Sequence, residues 1–441
     1  MKNINIYIIL AFVFILSSCE KDFTNKNQIT NDQVYSTEAG IVGATVGMTE
    51  HFANTTYGAI VEIPGITTRE IGITSTFATP FELAVGGETL PNENAGITRL
   101  WGRLLRDKAI AEEIIANVDN VNMEPKKKAG IKAYAMFFKA MTLGYLIQNF
   151  EKAPIDNSAD GNAVFNDRKD VLNECVNLLN NAISSTTAES AAFINSLVSS
   201  EFSLIDVLNA YSARYNLFAG NYQDAINAAD KVNLTSKSTW GYDGTNQKNP
   251  VFQFAVFDNP DTWPTDNFGL KGDLTPESND GRLAFYLSPL DSVGTEETGS
   301  WAIDGLLGFF SAVDSSIPVY LPGEMPLIKA EAYTRLGKLG DAVSQINIIR
   351  QKTDDVFGVN AGLDAWNGDD SNVDAILDEI YKNRCAELFF SGMRLEDSRR
   401  IHRYFVPSYD TDTQSERNRN FYPYPYEERI NNKNIPADPS I

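Results

Sequence analysis

Two stretches of this chain repeat one another. Gly220-Asn221-Tyr222-Gln223-Asp224-Ala225-Ile226 aligns with Gly337-Lys338-Leu339-Gly340-Asp341-Ala342-Val343, and Ala213 aligns with Ala330 at the same offset. In each copy a helical pattern ends at a glycine, a short turn follows, and a second helix opens on Asp-Ala. Glycine permits the left-handed backbone such a turn needs, and alanine lets two helices approach closely. Each copy therefore reads as a tetratricopeptide-like hairpin. A hairpin of this kind cannot bury its apolar face alone, so neighbouring hairpins must stack on it. The expected fold class is mostly α.

Helical spacing recurs elsewhere. Ser36 is placed to cap a helix running to about Phe52. Leu100, Leu104, Leu105, Ile110, Ile114 and Val118 mark a helix over 99–118. Pro125 suits the first position of the next, which carries Ile131, Ala135, Phe138, Thr142 and Tyr145 on one face. Val171, Cys175, Leu178 and Ala182 continue the pattern over 168–184. Residues 54–98 and 233–320 differ: they are rich in Thr, Gly and Pro, with short apolar runs. Both are expected to be long loops with a few short strands, and such loops in a compact domain usually carry function.

The N-terminus reads as a secretion signal. Lys2 precedes a nearly unbroken apolar run from Ile4 to Leu16, too short to span a bilayer as a helix. Leu16-Ser17-Ser18-Cys19 then forms a lipobox. Residues 1–18 are expected to be removed, Cys19 to be lipidated, and residues 19–34 to tether a single domain over 35–441. Acyl chains make the anchor durable. The formal net charge of −21 disfavours nucleic acid and anionic lipid as partners. Two further cysteines, Cys175 and Cys385, lie in helical patterns and read as small buried apolar side chains, with a disulfide between them left open.

Little points to catalysis. The two histidines, His51 and His402, are far apart, no HExxH or paired-Cys spacing occurs, and the G-x-S-x-G elbow is absent. Asp364, Asp369 and Asp370 lack calcium-loop spacing and read as surface acids. No catalytic residue, metal or cofactor is expected. Arg384 and Glu387 are three residues apart, as are Arg394 and Asp397, so each pair can meet along its own helix. Together with Glu331 and Arg350 they read as an internal brace of Arg–carboxylate contacts.

Read in order, several segments resemble the SusD/RagB family of Bacteroidetes outer-membrane lipoproteins. They include Trp101 with Ala116-Asn117, Asn149-Phe150-Glu151-Lys152-Ala153-Pro154, Asn249-Pro250-Val251-Phe252-Gln253 and Asp280-Gly281-Arg282-Leu283. The most specific are C-terminal: Glu324 to Ala332, Ile346-Asn347-Ile348-Ile349-Arg350, Ile380 to Arg400, and Tyr422-Pro423-Tyr424-Pro425. The chain departs from the family pattern at Glu151, Val251, Asn383 and Ser391.

The resemblance implies a SusD-like α-helical domain, with hairpins at about 99–232 and 322–403 and a loop-rich ligand region at about 54–98 and 233–320. It implies a cell-surface protein that binds an oligosaccharide, or in the RagB branch a peptide, and delivers it to a SusC-like TonB-dependent transporter. It also implies that the loop before the Trp101 helix contributes to the ligand site, here offering Arg69, Glu70, Phe77, Phe81 and Asn92. Aromatic rings stack on sugar C–H faces, so Trp240, Tyr242 and Trp263 of the second loop region are further candidates. Trp101 and Trp366 read as structural.

Overall fold

A computed structural model describes residues 34–199, 201–258, 260–293, 302–401 and 417–440. Cys19, the signal segment, nearly all of the tether and His402 lie outside the described residues. The chain starts with α1 (Glu38–His51), a π turn (Phe52–Thr56) and α2 (Tyr57–Thr67). There follow β1 (Ile71–Ile73), α3 (Ala78–Val85), α4 (Ala95–Asn117), α5 (Pro125–Asn149), β2 (Lys152–Pro154), β3 (Phe165–Asp167), α6 (Arg168–Ser185) and α7 (Ala188–Val198). Next are α8 (Leu204–Ala219), α9 (Tyr222–Ala229), β4 (Thr239–Trp240), α10 (Pro250–Ala255), β5 (Thr262–Pro264), α11 (Gly281–Tyr286), β6 (Leu287–Val293), β7 (Ala302–Leu306) and β8 (Ile317–Pro318). The last helices are α12 (Glu324–Arg335), α13 (Leu339–Arg350), α14 (Val373–Glu387), α15 (Arg394–Arg400) and α16 (Tyr426–Asn431).

Helices dominate, as expected. Both repeats are helical hairpins: α8 turns into α9 at Gly220 (φ 82°), and α12 turns into α13 at Gly337 (φ 74°). Ala213 and Ala330 are fully buried where the paired helices close. The hairpins stack on each other, with α9 packing on α12, and α5, α6 and α8 extend the stack. Among the described residues the strands form four antiparallel pairs, β1 with β5, β2 with β3, β4 with β8 and β6 with β7. In the first of these Gly72 lies opposite Trp263. Cys175 and Cys385 are buried and are not bridged to one another. Among the described residues no helix is long and apolar enough to cross a membrane.

One expectation needs correcting. Residues 54–98 are not a long loop, since they hold the end of the π turn, α2, α3 and the start of α4. Several of their threonine hydroxyls are satisfied by nearby backbone carbonyls. Thr55 donates to the His51 carbonyl at 2.6 Å, and Thr68 donates to the Pro64 carbonyl at 2.7 Å. Nearly all of α2 is buried, Pro64 included, so packing overrides weak propensity. The cap of α1 is also shifted by one residue: Thr37, not Ser36, accepts the Gly40 N–H.

Several quoted motifs prove to be local devices. The Asn249 carboxamide oxygen accepts the N–H groups of Val251 and Phe252 at the start of α10, and its nitrogen donates to the carbonyls of Phe309 and Ser315. Asp280 caps α11 and pairs with Arg282 at 2.7 Å.

Candidate functional site

The carboxylate–arginine set forms a buried chain across four helices. Arg214 on α8 grips Glu324 on α12 with two bonds of 2.8 and 2.6 Å. Arg384 on α14 donates to Asp397 on α15 at 2.8 Å, Asp397 accepts from Arg400 at 2.9 Å, and Arg400 holds Glu331 on α12 through two 2.8 Å bonds. The partners differ from the helical spacing. Arg384 meets Asp397 across helices instead of Glu387 one turn along, while Glu387 is held by Lys352 and Arg282. Arg350 bonds Glu379 on α14 and Glu277. Arg394 lies over the Tyr381 ring.

The eight ligand candidates do not converge. Arg69 and Glu70 are buried, and the Glu70 carboxylate accepts the Phe390 N–H at 3.0 Å. Burial raises the Glu70 pKa from 4.5 to about 7, against the opposing pull of Arg394. Phe77 is 66% exposed at the start of α3, whereas Phe81 on the same helix packs against the core. The Asn92 carbonyl accepts the Tyr426 N–H at 3.0 Å, and Trp263 donates its indole N–H to the Pro260 carbonyl at 2.8 Å. Trp240 and Tyr242 border a common cleft, but Trp240 is only 2% exposed and packs on Phe52, Phe138 and Phe202, which leaves Tyr242 as the aromatic that faces it. Trp101 is buried and stacks on Phe165, with its indole N–H bonded to Glu428. Trp366 is half-buried against the smaller apolar cluster.

That cleft belongs to a larger arrangement built on the π turn. Tyr57 N–H donates to the Phe52 carbonyl five residues back, which widens the turn. Asp107 on α4 brackets it: one carboxylate oxygen bonds His51 Nδ1 at 2.6 Å, and the other accepts the Thr56 hydroxyl at 2.6 Å. His51 and Thr56 are themselves five residues apart, so a single buried side chain spans the widened turn. Two more side chains bond its carbonyls. Tyr242 donates its hydroxyl to Ala53, and Arg103 on α4 donates to Thr55.

A cleft opens on each side of this turn. The first, of about 290 Å³, is walled by Thr45, Thr49, Glu50, Trp240, Tyr242 and Gln247, among others. Burial pushes the Tyr242 phenol well above its ordinary pKa, so it stays a neutral donor. The second cleft, of about 440 Å³, takes in Asn54, Glu62, Arg99, Arg103, Lys248 and Gln253. The loop over 241–248 contributes to both. It is stiffened by Asp243, whose carboxylate accepts the N–H groups of Thr245, Asn246 and Gln247. Thr45 and Glu62 lie about 25 Å apart along the helical wall at 1.5 Å per residue.

None of the eight ligand candidates lines this second cleft, although Pro250 and Gln253 of the quoted Asn249–Gln253 motif do. A further available signal was Arg99 and Arg103, four apart on α4 beside the apolar Leu100 and Leu104. Among the described residues no group of three or more His, Cys, Asp or Glu is placed to hold a metal.

No curated protein matches this chain. Residues 314–438 match the model of the SusD family. Solved structures extend the likeness. A SusD-like carbohydrate binding protein from Bacteroides vulgatus superposes with a TM-score of 0.68 at 15% identity, covering 91% of this chain and 97% of that one. A SusD superfamily protein from the same species gives 0.68 at 17% identity, covering 92% and 99%. One from Bacteroides thetaiotaomicron gives 0.66 at 15%, covering 93% and 100%. The buried brace of Arg384, Asp397, Arg400 and Glu331 falls within the matched C-terminal residues, and the chain is shown to resemble the SusD family both in that segment and in its fold.

Proposed function

We propose that this chain is a cell-surface lipoprotein that captures an oligosaccharide and hands it to a SusC-like TonB-dependent transporter without breaking a bond in it. The observation that carries this reading is the pair of clefts in series along one helical wall, one of them faced by the half-buried Tyr242, with the buried Trp240 packed behind it on Phe52, Phe138 and Phe202. Aromatic surface with hydroxyl, amide and carboxylate groups around it is the chemistry that holds sugar rings. The fold likeness to a SusD-like carbohydrate binding protein supports it, and the lipobox at Cys19 supports a membrane-anchored location.

Isothermal titration of the purified domain against neutral and acidic oligosaccharide panels and a peptide panel, with chromatography of the recovered ligand, tests the reading. Binding with the ligand recovered intact is the expected result. Product formation would make the protein an enzyme, and binding of peptides alone would move it to the peptide branch.

A further inference from the structure

The two clefts carry opposite charge. The first has Glu50 and Asp243 on its wall, whereas the second gathers Arg99, Arg103 and Lys248 around one carboxylate, Glu62. On a chain of net charge −21 a local excess of cations needs a counter-ion. Glu62 meets only part of that need. It accepts Arg99 Nη2 at 2.5 Å, while Arg99 Nε makes no hydrogen bond and Lys248 enters no ion pair among the described residues. Desolvation and the neighbouring Arg99 charge lower the pKa of Arg103 by more than Glu62 and Asp107 raise it, so its cationic form is compensated only in part.

Resting on the oligosaccharide-binding reading, we propose that the second cleft binds the carboxylate of a uronate-bearing glycan, setting both substrate class and ligand direction. Guanidinium groups suit a planar carboxylate, and Asn54 and Gln253 are placed for the hydroxyls of the same residue. The first cleft takes the next sugar ring against Tyr242, with Glu50 and Asp243 accepting its hydroxyls. An acidic peptide such as triglutamate fits less well, because it offers no ring face to lie against Tyr242.

The test titrates the whole domain with trigalacturonate, its methyl ester and triglutamate, at low and high salt, in the wild type and in Lys248→Gln and Arg99→Gln. The expected result is trigalacturonate bound about tenfold more tightly than the ester. That preference falls about two- to fivefold in Lys248→Gln and shrinks with salt. Lys248 is exposed, so this variant stays informative even if Arg99→Gln melts early. Equal binding of acid and ester overturns the proposal and leaves oligosaccharide binding standing. Preference for triglutamate overturns it in favour of peptide. Absence of binding to all three overturns it as well, and binding of neutral glycans alone in the wider panel then decides whether the broader reading survives.

Discussion

At the scale of single residues, the buried charges carry the sharpest consequences. Arg384 is fully buried and bonded to Asp397, with Glu324 3.9 Å away. Removing one partner of a buried pair leaves the other charge uncompensated, so Arg384→Ala should destabilise the fold by about 3–5 kcal/mol in chemical denaturation. Loss of ligand binding with unchanged stability would contradict the bracing role. Glu70 makes a pH prediction. The folded form holds its proton up to about pH 7, whereas the unfolded chain releases it near 4.5. Folding therefore takes up a proton between those values, and stability falls as pH rises through the window. Glu70→Gln should match the wild type below that window and melt higher above it. Melting curves that stay parallel across the window would show that Glu70 is not the group responsible.

At the scale of elements, the unexpected feature is the π turn. Asp107 holds both ends of it, and both clefts open beside it. Asp107→Ala should cost about 1.5–3 kcal/mol, the range for hydrogen bonds to a charged group, and should weaken oligosaccharide binding in the same variant. A variant that loses stability and keeps full affinity would mean the widened turn has no bearing on the site. The hairpins were legible because their signals are local. Gly220 and Gly337 sit where only a left-handed turn closes the hairpin, and Ala213 and Ala330 sit where helices touch. The helical nature of residues 57–67 was not legible. Its Thr, Gly and Pro content argues against helix, and only burial of nearly every side chain reverses that. Likewise the bond from Arg384 to Asp397 depends on how α14 crosses α15, which no spacing within one helix reveals.

At the scale of the whole molecule, the stack of hairpins forms a frame, and the clefts proposed to bind ligand lie along helices α1, α2 and α4 beside the 241–248 loop. The C-terminal motifs read most easily from the sequence are buried bracing, whereas the clefts are assembled from α1, the π turn, α2, α4 and the 241–248 loop, far apart in the chain. Tyr242 was among the candidates because an aromatic in a loop region is chemically apt, but the sequence did not separate it from Trp240, which is buried in the core. Glu62, Arg99, Arg103 and Lys248 were not, because their meaning arises only when the fold brings them together. Hydrogen exchange of backbone amides, with and without saturating oligosaccharide, tests the location directly. The predicted result is ligand-induced protection over residues 45–62 and 240–253, with the C-terminal brace unchanged. Protection confined to other segments, such as the neighbourhood of Phe77 or Trp263, would contradict the assignment of these clefts as the site.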